Sequence, residues 1–183
     1  DNTTTAKADE LNILDGRTSV AVKVDATAVA GTYSDLSKVY VTNKANFAEL
    51  GNEVVTITDT VSAAQANTIA KATSGNVTAA TVTAATAATL NAALTDTTVN
   101  AYSLTLTDTN LSSLTNLIAL DGKTTGTIDA SSLLSISETY ANLNTVYTSA
   151  GITGLTNEAV TITDTQNAGN VNTIADKTSG AVT

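Results

Sequence analysis

The chain of 183 residues contains no cysteine, histidine, tryptophan, methionine or proline, a single phenylalanine and five tyrosines. Without His or Cys there is no Ser-His-Asp or Cys-His nucleophile, no imidazole or thiolate zinc site and no redox thiol pair. So few aromatics mean a thin aliphatic core made of many small contacts. Basic residues are also scarce: 8 against 17 acidic, a formal net charge of −9. A surface of that sign repels phosphate backbones, and no basic patch with interleaved aromatics is present, so no nucleic-acid partner is expected. No run of about 18 apolar residues occurs, so no membrane span is expected either. The absence of Cys fits bacterial extracellular proteins that do without disulfides, and cytosolic proteins can lack Cys too.

What is there is Thr, Ala, Asn and Ser with Val, Leu and Ile, and at 42% hydrophobic residues the chain can bury a core. It repeats itself. "NEVVTITDT" (52–60) returns as "NEAVTITDT" (157–165), "NTIA" (67–70) at 172–175 and "TSG" (73–75) at 178–180, all at an offset of 105. Upstream, "LNILDG" (11–16) matches "LIALDG" (117–122), "TYSDLSKVY" (32–40) matches "TYANLNTVY" (139–147), and "KVDA" (23–26) matches "TIDA" (127–130). Their offsets are 106, 107 and 104, the mark of short insertions at turns.

A shorter period lies inside the long one. A polar residue between aliphatics recurs as Asn12, Ser37, Asn67, Asn91, Asn116, Asn144 and Asn172, spaced 24 to 30 residues apart. Periods of this size mark solenoids and related arrays. The spacing predicts a repeat β/α solenoid over residues 1–183 as a single segment, with about seven coils of 24–30 residues, parallel strands and a short helix per coil. Asn12, Asn67, Asn91, Asn116, Asn144 and Asn172 would then form a structural amide ladder, or a row of ligand-binding amides.

Residues 55–79, "VTITDTVSAAQANTIAKATSGNVTA", show one such unit. Val and Ile alternate with Thr, which reads as a strand. Asp59 or Thr60 would cap the following Ala-rich helix, and Gly75 would stop it. "NVTA" resumes the extended chain, with bends expected near 24–26, 77–79, 99–101 and 128–130, where a small Ala can turn the corner. The acids Asp59, Asp108 and Asp164 share a "TDT" setting, and Asp96 lies in the same tripeptide after another helix. Asp15 and Asp121 precede Gly in "LDG". Neighbouring carboxylates could share Ca²⁺, yet the nonapeptide calcium repeat and EF-hand spacing are both absent, and capping or turn formation accounts for each Asp. Calcium therefore stands as an alternative at Asp59, Asp96, Asp108 and Asp164, and no other cofactor is expected.

Thr-rich strands raise ice binding, but spacings of 24 to 30 are too irregular for a flat face. Paired acids raise polysaccharide cleavage, but the tyrosines recur as matched pairs, Tyr33 with Tyr140 and Tyr40 with Tyr147, as packing residues do. No catalytic residue is expected.

The phrases "ELNILDGRTSVAVKVDA", "LIALDGKTTGTIDASSL" and "GITGLTNEAVTITDT" resemble repeats of giant cell-surface proteins of marine cyanobacteria, including the type associated with swimming motility in Synechococcus-type cells. The resemblance covers nearly the whole chain and is strongest over 116–183. It implies an exported surface or matrix protein, secreted by a type I route, and carries over no catalytic residues. The opening "DNTTTAKADE" and the mid-pattern "SGAVT" lead us to expect a segment of a longer protein. The expected function is a non-enzymatic structural module of an extracellular fibre or coat, self-associating through its repeats. The alternative is an adhesion module presenting a glycan- or calcium-binding face.

Overall fold

The computed structural model describes residues 5–183. It comprises two compact units, one of Asp1–Thr83 with Ala93–Tyr102, the other of Ala84–Ala92 with Ser103–Thr183.

The first unit contains β1 (Thr5–Lys7), α1 (Ala8–Asp15), β2 (Val22–Lys23), β3 (Ala28–Gly31), α2 (Tyr33–Ser37), β4 (Phe47–Ala48), β5 (Val54–Val61), α3 (Ala63–Ala70) and β6 (Val77–Val82). A π turn over Lys38–Thr42 extends α2, and a 3₁₀ turn covers Lys44–Asn46. β5 shows why these segments are strands. Val55, Ile57 and Val61 point inward and are buried, while Val54, Thr56, Thr58 and Thr60 are exposed, the period-two pattern of a half-buried strand. The order β1-β3-β5-β6 is parallel throughout, with α1, α2 and α3 as the crossovers that parallel pairing requires. Its register aligns Ala6, Val29, Val55 and Val77 in one apolar column. β2 and β4 form a separate parallel pair.

The second unit contains α4 (Ala87–Ala93, whose last residue belongs to the first), β7 (Leu104–Thr105), β8 (Asn110–Leu111), α5 (Thr115–Asp121), β9 (Ile128–Asp129), β10 (Ser135–Glu138), α6 (Tyr140–Thr148), β11 (Ile152–Thr153), β12 (Ala159–Ile162) and α7 (Ala168–Ala175). Its strands make two parallel sheets, β8-β10-β12 and β7-β9-β11. The columns are Leu111, Ile136 and Val160 in one, and Leu104, Ile128 and Ile152 in the other.

These findings correct the expectation of one continuous solenoid. The chain is an α/β fold whose parallel strands fall into four small separate sheets, with seven α-helices among the described residues. Packing distances give the reason. Paired strands lie about 4.8 Å apart, whereas helices need 8–10 Å between axes. Strands of only two to four residues cannot hold a long ladder against that mismatch, and even β5 and β6 slip register between Ile57 and Thr60.

Local expectations change too. Ser62, not Asp59 or Thr60, caps α3: its Oγ accepts from Gln65 N–H (3.2 Å) while Gln65 Oε1 accepts from Ser62 N–H (2.9 Å), a reciprocal capping box. Residues 77–79 lie inside β6, and the irregularity falls just after them, where the β5–β6 register shifts between Ala79 and Thr81. Pairing aligns β2 with β9 through β4 and β11, so Lys23 takes the place of Asp129 and Asp25 that of Ser131. The "KVDA" to "TIDA" match is thus two residues out.

Gly75 does not end α3, whose last residue is Ala70. It and its repeat partner Gly180 serve a close backbone crossing. A Cβ on Gly75 would be driven into the Glu53 carbonyl, and one on Gly180 into that of Glu158. Gly75→Ala or Gly180→Ala should therefore cost more than about 2 kcal/mol each in urea unfolding, because the obstacle is backbone and cannot swing aside. Gly16→Ala, where no atom lies closer than 3.6 Å to the added carbon, should cost far less.

Candidate functional site

The calcium candidates are each engaged separately. Asp59 Oδ1 accepts from Tyr33 N–H (2.8 Å), Asp108 Oδ2 from Ala87 N–H (2.7 Å) and Asp164 Oδ1 from Tyr140 N–H (2.8 Å). Glu138 Oε2 does the same for Leu114 N–H at 3.2 Å. These amides stand at the starts of α2, α4, α6 and α5, where backbone donors lack an intrahelical acceptor. Each acid thus caps the helix of the preceding repeat, not the helix that follows it in sequence. The Thr139 and Leu114 amides hold the Glu138 carboxyl below the usual glutamate range. Asp96 differs: its Oδ2 accepts from Thr98 N–H and Asn100 Nδ2, both at 3.1 Å, and shapes a turn. No group of three or more acidic residues among those described could hold a metal ion.

The asparagines meet in part. Asn91 Nδ2 donates to Asn116 Oδ1 at 2.8 Å, the one amide pair that stacks. Asn116 nevertheless lies two places off the common position, which Ile118 fills in "LIALDG". Asn12 Nδ2 donates to the Asp35 carbonyl (3.2 Å). Asn67 Oδ1 accepts from Thr95 and Asp96 N–H, both at 2.8 Å. Asn144 is half-buried in α6 and Asn172 is exposed on α7. The amides therefore tie neighbouring segments together by several different bonds.

Two buried glutamates were not singled out by the sequence. Glu53 is 1% exposed and Glu158 is fully buried. Tyr40 Oη donates to Glu53 Oε2 at 3.0 Å, and Gly51 N–H donates to the same oxygen at 2.8 Å. Tyr147 Oη donates to Glu158 Oε1, while Asn157 N–H meets Oε2 at 3.1 Å. The Thr of each "TSG" closes the arrangement: Thr73 Oγ1 donates to the Glu53 carbonyl and Thr178 Oγ1 to the Glu158 carbonyl, both at 2.8 Å. The return of Glu and "TSG" at an offset of 105, and of Tyr at 107, was the available signal. In the third "TDT" segment Tyr102 takes the place of the glutamate, and it too is buried.

One corner breaks the repetition. In the second unit Gly154 (φ +85°) packs so tightly that an added Cβ would lie 2.6 Å from Ser131 N. Its counterpart in the first unit is Glu49, the one non-glycine among the described residues with positive φ, at 62°. That conformation costs an L-residue about 1–2 kcal/mol. Lys23, Asp25 and Glu49 replace Asp129, Ser131 and Gly154, and they form a charged triplet. Lys23 Nζ lies 2.9 Å from Asp25 Oδ1 and 3.4 Å from Glu49 Oε2. These contacts raise the Lys23 ammonium above its ordinary range, the hydrogen bond to Asp25 first. Beside them opens a cleft of about 590 Å³, lined by Asp25, Thr27, Glu49, Gly51 and Asn52 among others. The signal for it was the departure from the repeat, Glu where the partner has Gly.

Capping carries an expected cost. Asp59→Ala, Asp108→Ala or Asp164→Ala should each lower stability by about 1 kcal/mol in urea titration, with Asn at the same places retaining part of the loss. The tyrosines give a pH dependence. Burial first, then the Glu53 charge, raises Tyr40; burial first, then Glu158, raises Tyr147; burial first, then the Asp96 charge, raises Tyr102. A phenol that binds its proton more tightly when folded stabilises the protein below the unfolded value of 10.0 and loses that contribution as pH rises above it. In alkaline titration the phenolate absorbance of these three should therefore appear together with unfolding, in a single step.

No helix among the described residues is long and apolar enough to cross a membrane. No protein-family model matches the chain, and no curated protein or solved structure shows significant similarity to it.

Proposed function

We propose that the chain is a non-enzymatic structural module of an extracellular surface or matrix protein, acting by repetition and by association between repeats. The observation that carries this reading is the doubled arrangement of Tyr, Glu, Thr and Gly around a buried glutamate, built at 40, 53, 73 and 75 and again at 147, 158, 178 and 180. An active site needs one constellation; a building unit needs the same one many times. The acids Asp59, Asp108 and Asp164 are occupied in tying one repeat to the next. The resemblance to giant cyanobacterial surface proteins supports export and a cell-surface place by a type I route. No metal enters this role.

A second reading has its own observation. The corner at Lys23, Asp25 and Glu49 departs from the repeat and opens a cleft, which favours a module that also binds a ligand at the surface. Calcium at the "TDT" acids would be a different route to adhesion.

Sedimentation and electron microscopy of the purified protein, with calcium and with excess chelator, test the main reading. Concentration-dependent assembly that persists in chelator is expected. A strictly monomeric protein at every concentration would count against association between repeats, and assembly lost on chelation would return Asp59, Asp108 and Asp164 to the role of ligands.

A further inference from the structure

We propose that the corner cleft at Lys23, Asp25 and Glu49 binds a neutral saccharide through a vicinal pair of hydroxyls. The proposal rests on the second reading above and names its ligand class. Three features define the chemistry. The cleft of about 590 Å³ is in the size range of small-molecule sites and holds roughly one or two pyranose rings. Two carboxylates, Asp25 and Glu49, line it, and the Lys23 ammonium at its edge is held between them. All three side chains are more than half exposed, at 56%, 64% and 60%.

Charge narrows the ligand. An anion such as phosphate meets two carboxylates against one ammonium. A divalent cation meets an ammonium already seated on both carboxylates, with no third acid among the described residues to complete its shell. A basic side chain meets the same ammonium. A neutral polyol avoids each conflict: a carboxylate can accept two adjacent hydroxyls while the lysine donates to another oxygen. Asn52 lines the same space and adds an amide. With no aromatic residue among those lining it, the cleft offers hydrogen bonds and not ring stacking, so weak binding is expected.

The internal repeat argues that the opening is a departure from a closed alternative. The equivalent corner is shut by Gly154 against Ser131. At Glu49 the backbone keeps the left-handed turn but carries a charged side chain there instead.

The test is amide-resolved NMR of the folded chain titrated with methyl glycosides of glucose, mannose and galactose at millimolar concentration, with calcium chloride and a lysine-rich peptide as parallel probes. Saturable shifts confined to residues 23–27 and 49–52, produced by a glycoside, are expected. Asp25→Asn should weaken them by about tenfold, the loss of one charge-assisted acceptor. Glu49→Gly should abolish them while the chain stays folded, since glycine suits that backbone better. Shifts at the cleft from calcium or peptide alone would overturn the saccharide assignment and leave the binding reading standing. No shifts at the cleft from any probe would overturn both. Glycoside shifts that persist unchanged in Glu49→Gly would place the site elsewhere and overturn the proposal.

Discussion

A parallel strand pair needs a crossover of a dozen or more residues between its members. Here paired residues lie from 21 to 26 positions apart, and most crossovers hold a short helix. Much else in each unit follows from that pairing. The end of a strand comes to rest beside the start of the helix one repeat earlier, so an acid placed there reaches a backbone amide that nothing local can satisfy. Asp59 on Tyr33, Asp108 on Ala87 and Asp164 on Tyr140 are three instances of one geometry. Because the cap comes from the next repeat, helix stability is coupled to strand pairing.

The same geometry brings backbone against backbone. Gly75 and Gly180 stand where the chain crosses the carbonyls of Glu53 and Glu158, and the adjoining Thr of "TSG" donates to those carbonyls. The glutamate side chains turn inward to tyrosine hydroxyls. A buried carboxylate is costly unless hydrogen-bonded, and here a phenol and a backbone amide share the task. With aromatics so few, Tyr40 and Tyr102 are the largest fully buried side chains of a core otherwise built mostly from Val, Leu, Ile and Ala, and Tyr147 is half-buried on Glu158. One departure of the first unit from the second is a corner. Glycine packing gives way there to a lysine held between two acids.

The repeat period, the parallel strands and the short helices could be read in the residues. Alternation in "VVTITDTV" placed β5, and the Ala-rich run after it placed α3. These are local properties of side-chain size and branching. The absence of His and Cys excluded whole classes of chemistry in the same direct way. Which groups meet was a different matter. Asp59 was legible as a cap, but its helix was not, since its partner Tyr33 lies 26 residues away. Asn116 looked like a member of the amide series although it sits two places out of step. The continuity of the sheets was misread because a period in sequence carries no information about the competing spacings of strands and helices. Composition and periodicity settled what the segments are, because those depend on each residue and its near neighbours. Only the tertiary structure decided that the strands divide among four sheets, that Glu53 and Glu158 lie buried on tyrosines, and that Glu49 opens a corner which Gly154 closes. Each of those outcomes depends on distances between residues far apart in the chain.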